Sequence, residues 1–396
     1  MRVLFTTWAW SPHYFPMVPL AWALRNAGHE VRVAGQPGII DPIVNSGLPA
    51  VSVGKDIDFV ETVRQQMGID GTAEMTPERW RELRKGKGKA ALRIFVDLAE
   101  AMVDDLVDFG RAWRPDLVVH TPSGFAGPLT AAALGVPNVR HLKAPDIAYP
   151  ARELEVELLE PLRKRLGISA PVDPIGALTV DPCPPRMQVP SEYPRQLIRY
   201  IPYNGPGVMP DWLLEPAERP RVCVTWGTTL GRLNPNMVLA GTMLRAIAEL
   251  DVEVVATVAP GHAALVGDLP AGVRLVESLP LHMLLPTCDA IVHQGGTGTT
   301  MTSLVCGVPQ LIVPQFPDHA FNAARLAGAG GGIVLMPEDA DPEAVRAHVR
   351  RLLDDEELRA SVRSLHDEAV SQQAPTEIVG VLEDLAARSP HAPAHS

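Results

Sequence analysis

Cysteine is scarce in this chain: Cys183, Cys223, Cys288 and Cys306 lie far apart, with no C-x-x-C spacing. That excludes a disulfide framework and a short-spaced zinc site, and predicts a reducing, cytoplasmic setting. Long apolar runs are also missing. No stretch reaches the ~18 residues of a membrane helix, so an integral membrane protein is not expected. The N-terminus carries only Arg2 as an early charge, and Ser11-Pro12-His13 interrupts its apolar run, unlike a signal peptide. Positive charge is in deficit, with 35 Lys and Arg against 46 Asp and Glu. A net charge of −11 argues against nucleic acid as a partner, because affinity for a phosphate backbone needs clustered Lys and Arg.

Proline, by contrast, is abundant: 39 residues, about twice the ordinary usage of ~5%. Twelve of them fall between residues 171 and 220, where no helical or strand period is sustained. Proline fixes φ and removes a donor, so this stretch reads as an extended linker. It divides 396 residues nearly in half, and a single core stops growing well below that length. Two domains are therefore expected, over 1–205 and 206–386, with a disordered Pro- and His-rich tail over 387–396.

Both halves alternate short β-rich runs with helical patterns. RVLFTT, VRVAG, DLVVH and NVRHL read as strands in the first; RVCVTW, VEVVATV, VRLVE, DAIVH and QLIV in the second. Asn234 and Pro235 look like the N-cap and first residue of a helix over MVLAGTMLRAIAEL. Alternation of this kind predicts an α/β fold of two doubly wound parallel-sheet domains, with ligands in a cleft between facing strand ends. Residues 55–110 are more charged and read as surface helices around a solvated loop, RKGKGK, with a partner-docking surface as the alternative.

The most informative segment is DAIVHQGGTGTTMTSLVCGVPQLIVPQFPDHAFNA, residues 289–323. A strand ends at His293; Gly295, Gly296 and Gly298 then interleave with Thr297, Thr299 and Thr300 as a helix begins. Backbone N–H groups bared by glycine, at the positive end of a helix dipole, suit a phosphate. The spacing is neither a P-loop nor G-x-G-x-x-G. A Gly-rich turn alone is as often structural punctuation; the strand-end histidine and Asp318-His319, 25 residues after it, favour a binding site.

Together with MRVLFTTWAWSPHYFPMVPLAWALRNAGHEVRVAG, VTWGTTLG, SLPLHMLLPTCDAIVHQGGTGTT and GVPQLIVPQFPDHAFNAAR, this segment resembles the GT-B fold glycosyltransferases of family one. The likeness is strongest to actinobacterial enzymes that attach deoxysugars to polyketide and other natural-product scaffolds. It implies an inverting transferase without cofactor or metal, taking a nucleotide-sugar donor and a hydrophobic aglycone acceptor. A homodimer or an auxiliary activator protein is left open as a partner.

Further assignments follow from the resemblance. His293, Gly296, Thr297, Gly298 and Thr299 would hold the donor diphosphate, with Thr228 and Thr229 approaching it from the loop after RVCVTW. Fixed donors and a helix dipole would neutralise the leaving diphosphate. Ser278 and Leu279 match the base-binding loop, although relatives often carry an aromatic at Ser278. Relatives that use UDP-sugars place a glutamate eight residues after the motif histidine to hold the ribose; here Met301 stands there. A thioether cannot accept two hydroxyl bonds, so a dTDP-sugar is expected. Asp318 and His319 match the family's acidic residue and glutamine at the transferred sugar.

His13, in the loop after the first strand, matches the general base. A loop histidine is ordinarily a packing or surface residue; its place before Pro16 and the VPLAWAL helix favours catalysis. Relatives orient this histidine with an aspartate after a later strand, where this chain has Thr121, so Asp146 is a candidate substitute. Trp8, Trp10, Tyr14, Phe15, Trp80 and Phe125 are candidates for the acceptor wall. The competing readings are an NDP-sugar epimerase of the same fold, a non-catalytic sugar-nucleotide binder, and transfer to an aromatic carbon.

Overall fold

The computed structural model describes residues 1–85 and 88–388 as two α/β domains, each built on a parallel sheet. The first sheet comprises β1 (Arg2–Thr6), β2 (Glu30–Gly35), β3 (Ala50–Ser52), β4 (Leu117–His120), β5 (Asn138–His141), β6 (Leu178–Asp181) and β7 (Arg195–Leu197), ordered β3-β2-β1-β4-β5-β6-β7. The second comprises β8 (Arg221–Thr225), β9 (Glu253–Val258), β10 (Arg274–Glu277), β11 (Ala290–His293), β12 (Gln310–Ile312) and β13 (Gly332–Val334), ordered β10-β9-β8-β11-β12-β13.

The strands are apolar along their length because helices cover both sheet faces. In β1, Val3 and Phe5 enter one core and Leu4 the other, the period-2 alternation of a doubly covered strand. Each sheet reverses its strand order at one point, between β1 and β4 in the first and between β8 and β11 in the second. The register sets Thr6 beside His120 and Thr225 beside His293, so the loops after these strands emerge together. Such switch points are where open α/β sheets bind ligands.

The Pro-rich stretch is not one linker. Residues 178–181 and 195–197 supply β6 and β7 of the first sheet, and the extended connection runs from 198 to 220 with a single 3₁₀ turn at Asp211–Leu214. The last helix, Val379–Ala387, returns to the N-terminal domain, where Leu382 joins the core of Val3, Leu20 and Leu24. Glu383 there pairs with His29 at 2.9 Å. Ala387, expected to open the tail, instead closes this helix; residues 389–396 lie outside the described residues, as do two residues of the RKGKGK loop.

The helices Phe59–Met67 and Pro77–Lys85 are not solvated surface elements on all sides. Val60 and Trp80 enter the core of the C-terminal domain, which removes Trp80 from the acceptor wall. Arg64 donates to the carbonyls of Leu233 and Arg232 at 2.9 and 2.5 Å, and Arg84 pairs with Glu338 at 2.5 Å. Asn234 caps the 3₁₀ turn Pro235–Met237 rather than an α-helix, which starts at Ala240. Its amide also donates to the carbonyls of Asp70 and Ala73 at 3.0 and 2.8 Å, tying the two domains together.

Candidate active site

The donor side is built at the end of β11. Gly295, at φ 93°, turns the chain, and its N–H donates to His293 Nδ1 at 3.1 Å. A Cβ on Gly295 would lie 2.9 Å from the Ile312 side chain and 3.1 Å from the His319 carbonyl, so only glycine fits this position. The helix Thr297–Val305 then starts with no side-chain cap at Gly296. The first N–H groups of a helix have no acceptor within it, so those of Thr297, Gly298 and Thr299 are available to an anion. Residues 296–299 are partly exposed, and a Cβ on Gly298 would meet open space.

His293 itself is fully buried. Nδ1 accepts from Gly295, which leaves the proton on Nε2, and Nε2 donates to Gln310 Oε1 at 3.0 Å. Burial pushes its pKa down to about 4. Both ring nitrogens are thus used inside the protein. In this arrangement the imidazole shapes the turn that bares the amides expected to meet the diphosphate. Gly227, at φ 64°, lies close against the Gln294 side chain, and Thr228 and Thr229 follow it in the loop after β8.

Ser278 and Leu279 follow β10 at the sheet edge. Ser278 is exposed at φ 60°, while Leu279 is buried in a core cluster. Three strand spacings, about 14 Å, separate β10 from β11, the distance over which a nucleotide would lie from base to diphosphate. Met301 is fully buried beside Tyr200 and Leu304, so a thioether packed in a core occupies the position that carries a ribose-binding glutamate in UDP-sugar relatives.

Asp318 and His319 open the helix Pro317–Gly328, which abuts Gly295. Asp318 is exposed. His319 is buried, and among the described residues its Nδ1 has no hydrogen-bond partner. One residue not foreseen is Asn322, whose amide donates to the Gly295 carbonyl and to Thr297 Oγ1, each at 3.2 Å. It lies four residues after Asp318, hence on the same helix face, and it fixes the helix to the glycine turn.

On the acceptor side, His13 sits in the short helix Ser11–Tyr14 after β1, half-buried against the Trp8 ring at 4.6 Å. Its Nδ1 lies 3.2 Å from Thr121 Oγ1, and its Nε2 lies 2.5 Å from Lys143 Nζ. An ammonium can only donate, so with Lys143 charged Nε2 accepts and the ring proton sits on Nδ1, donating to Thr121. Burial and the lysine charge both hold His13 well below the ordinary histidine range. Lys143, on the loop after β5, is itself pushed down to about 8 by burial, while the Asp318 carboxylate acts in the opposite direction.

Asp146 does not orient His13. It is buried in an ion pair with Arg140 at 2.6 Å and accepts from the Tyr193 hydroxyl at 2.6 Å. Trp8, Trp10, Phe59 and Phe95 form an aromatic cluster beside His13, and Phe125 lines a void of about 10 Å³ over the ends of β1 and β4. Tyr14 is core, bonded to Ser46 at 2.5 Å, and Phe15 packs on Tyr203.

Two facing switch points, one with an uncapped glycine turn and one with a loop histidine, are the layout of a GT-B glycosyltransferase. Residues 22–227 match the erythromycin biosynthesis protein CIII-like N-terminal domain, and residues 241–385 match the C-terminal domain of the same family. The chain belongs to this family of glycosyltransferases. Among its relatives are a 10-deoxymethynolide desosaminyltransferase of Streptomyces venezuelae, 38% identical across 100% of this chain and 99% of the relative. An L-demethylnoviosyl transferase of Streptomyces niveus is 40% identical, with 98% of each chain covered. The crystal structure of the glycosyltransferase VinC in complex with dTDP superposes with a TM-score of 0.83 at 37% identity, covering 98% of this chain and 100% of VinC. In this EryCIII-like chain the glycine turn lies in one domain and the loop histidine in the other, with Lys143 in contact with that histidine.

Proposed function

We propose that this EryCIII-like chain transfers a deoxysugar from a dTDP-sugar to a hydroxyl of a polyketide-type or other natural-product aglycone, with inversion at C1 and His13 as general base. The observation that carries the reading is the uncapped start of the helix Thr297–Val305 in one domain together with His13 in the other. The amides of residues 297–299, with Thr228 and Thr229, would hold the diphosphate, and the developing charge would fall on the helix dipole. Ser278 and the Leu279 backbone would meet the base. Asp318 and His319 would bond the sugar. His13 Nε2 would take the acceptor proton as the oxygen attacks C1 and the diphosphate departs from the opposite face.

Support for dTDP comes from Met301, which offers no carboxylate to a ribose diol, and from VinC, which binds dTDP. The domain boundaries that serve this chemistry are 1–205 and 206–386, with the last helix of the second docked on the first. A panel of dTDP- and UDP-sugars tested with phenolic and alcoholic aglycones checks the reading. The expected result is glycoside formed from dTDP donors with inverted anomeric configuration by NMR. UDP-glucose outperforming every dTDP-sugar, or sugar isomerised without acceptor, would contradict it.

A further inference from the structure

Lys143 is the group in this site that neither the glycine turn nor the loop histidine accounts for. It reaches from the loop after β5 to within 2.5 Å of His13 Nε2, the nitrogen that must face an acceptor. Thr121 and the Trp8 ring face the His13 imidazole from the same domain; Asp318 and His319 face Lys143 from the other. Among the described residues no carboxylate bonds His13, and the Thr121 hydroxyl orients the ring without offsetting an imidazolium charge. With Lys143 as ammonium, an imidazolium at His13 would stand against a like charge. His13 is therefore a stronger base when Lys143 is neutral than when it is charged.

We infer that Lys143 is the proton sink of His13, and that the acceptor group is accordingly an acidic hydroxyl, a phenol or an enol, rather than an aliphatic alcohol. This rests on the reading of His13 as general base. The lysine stem is flexible, so Nζ can yield the Nε2 lone pair to an entering hydroxyl and then take the proton from the same nitrogen. The O–H proton passes to Nε2 and from there to the neutral amine, leaving a neutral imidazole and an ammonium. The oxygen forms its bond to C1 as the C1–O bond to the diphosphate breaks, the electron pair leaving with dTDP. The ammonium gives its proton to water as product departs.

Two features match this to an acidic hydroxyl. A phenol ionises near ~10, as the tyrosine side chain does, within reach of a lysine lowered to about 8. The ammonium formed also stands beside the oxyanion and stabilises it. Lys143 exchanges its proton with His13 and its charge faces the acceptor oxygen, so its signature lies in the pH profile.

The test uses the full chain with a dTDP-sugar panel, substituted phenols ionising between about 7 and about 10, and aliphatic alcohols of matched size, from pH 6 to 10. The expected result is transfer to phenols at least tenfold faster than to alcohols, with kcat/KM rising with pH and levelling near the lysine's value. Lys143→Met should lose that limb and at least ~100-fold in rate, with dTDP affinity by calorimetry unchanged. Lys143→Arg, which keeps the charge but cannot shed it, should be as impaired as Lys143→Met. Rescue by arginine, an unaltered pH profile in both variants, or faster transfer to alcohols would overturn the inference while leaving a His13-dependent transferase standing. Transfer to neither class by the unmodified protein would remove the glycosyl-transfer reading as well.

Discussion

Thr121 Oγ1 stands 3.2 Å from His13 Nδ1, where the family resemblance places a carboxylate. The contact fixes the ring and its tautomer. It supplies no negative charge, and the nearest substitute from the sequence, Asp146, is bound to Arg140 and Tyr193 instead.

Thr121→Asp should therefore change the base. A carboxylate in hydrogen-bond reach favours imidazolium, so the His13 pKa should rise and transfer to aliphatic alcohols should increase by about tenfold or more. Thr121→Val should instead lower kcat/KM by about tenfold through loss of ring orientation. Steady-state kinetics against pH with both acceptor classes checks this; equal rates for Asp, Val and Thr at position 121 would count against it.

The glycine turn separates two kinds of glycine. Gly295→Ala should fold poorly and lose dTDP binding, because a left-handed φ and contacts of 2.9 and 3.1 Å leave no room for a Cβ. Gly298→Ala has open space around its Cβ and should fold normally, but its methyl would face the bound diphosphate and weaken dTDP affinity at least fivefold. Thermal unfolding and calorimetry on the two variants distinguish fold from site.

Much of this organisation was legible in the sequence for a physical reason. Strands buried on both faces are written as apolar runs, which is why RVLFTT, DLVVH, RVCVTW and DAIVH locate β1, β4, β8 and β11. β6 and β7 were hidden among prolines. Proline keeps its carbonyl, and Pro194 uses it to accept from Thr179 across that pair of strands. β3 and β13 are three residues each and only partly buried, whereas the equally short β12 is fully buried and reads as an apolar run. Lys143 carries no motif at all; its place follows only from β1, β4 and β5 being neighbours, which brings the three loops after them together. Asn322 had a signal, the four-residue spacing from Asp318 on one helix face.

Arg140 and Asp146 form a fully buried pair beneath the acceptor side. Arg140→Met leaves the Asp146 carboxylate buried without its cation and should cost about 3–5 kcal/mol of stability. Chemical denaturation checks this, and a loss below 1 kcal/mol would argue against the pairing.

Glu155, buried nearby, has its pKa raised to about 8, mainly by burial. The folded state therefore holds a proton that the unfolded chain has released above its ordinary value near 4.5, so this group's contribution to stability falls as pH rises from 4.5 towards 8. Glu155→Gln removes that slope. The variant should gain thermal stability relative to the parent at pH 8.5 compared with pH 6, and a Tm difference that does not change with pH would exclude a buried, protonated carboxyl.

Proton transfer from the acceptor to His13 is tested most directly by acceptor-dependent dTDP release from a dTDP-sugar by His13→Ala, with dTDP affinity measured alongside. The expected result is a loss of at least ~100-fold in turnover with dTDP affinity retained. Turnover close to that of the unmodified protein would contradict it.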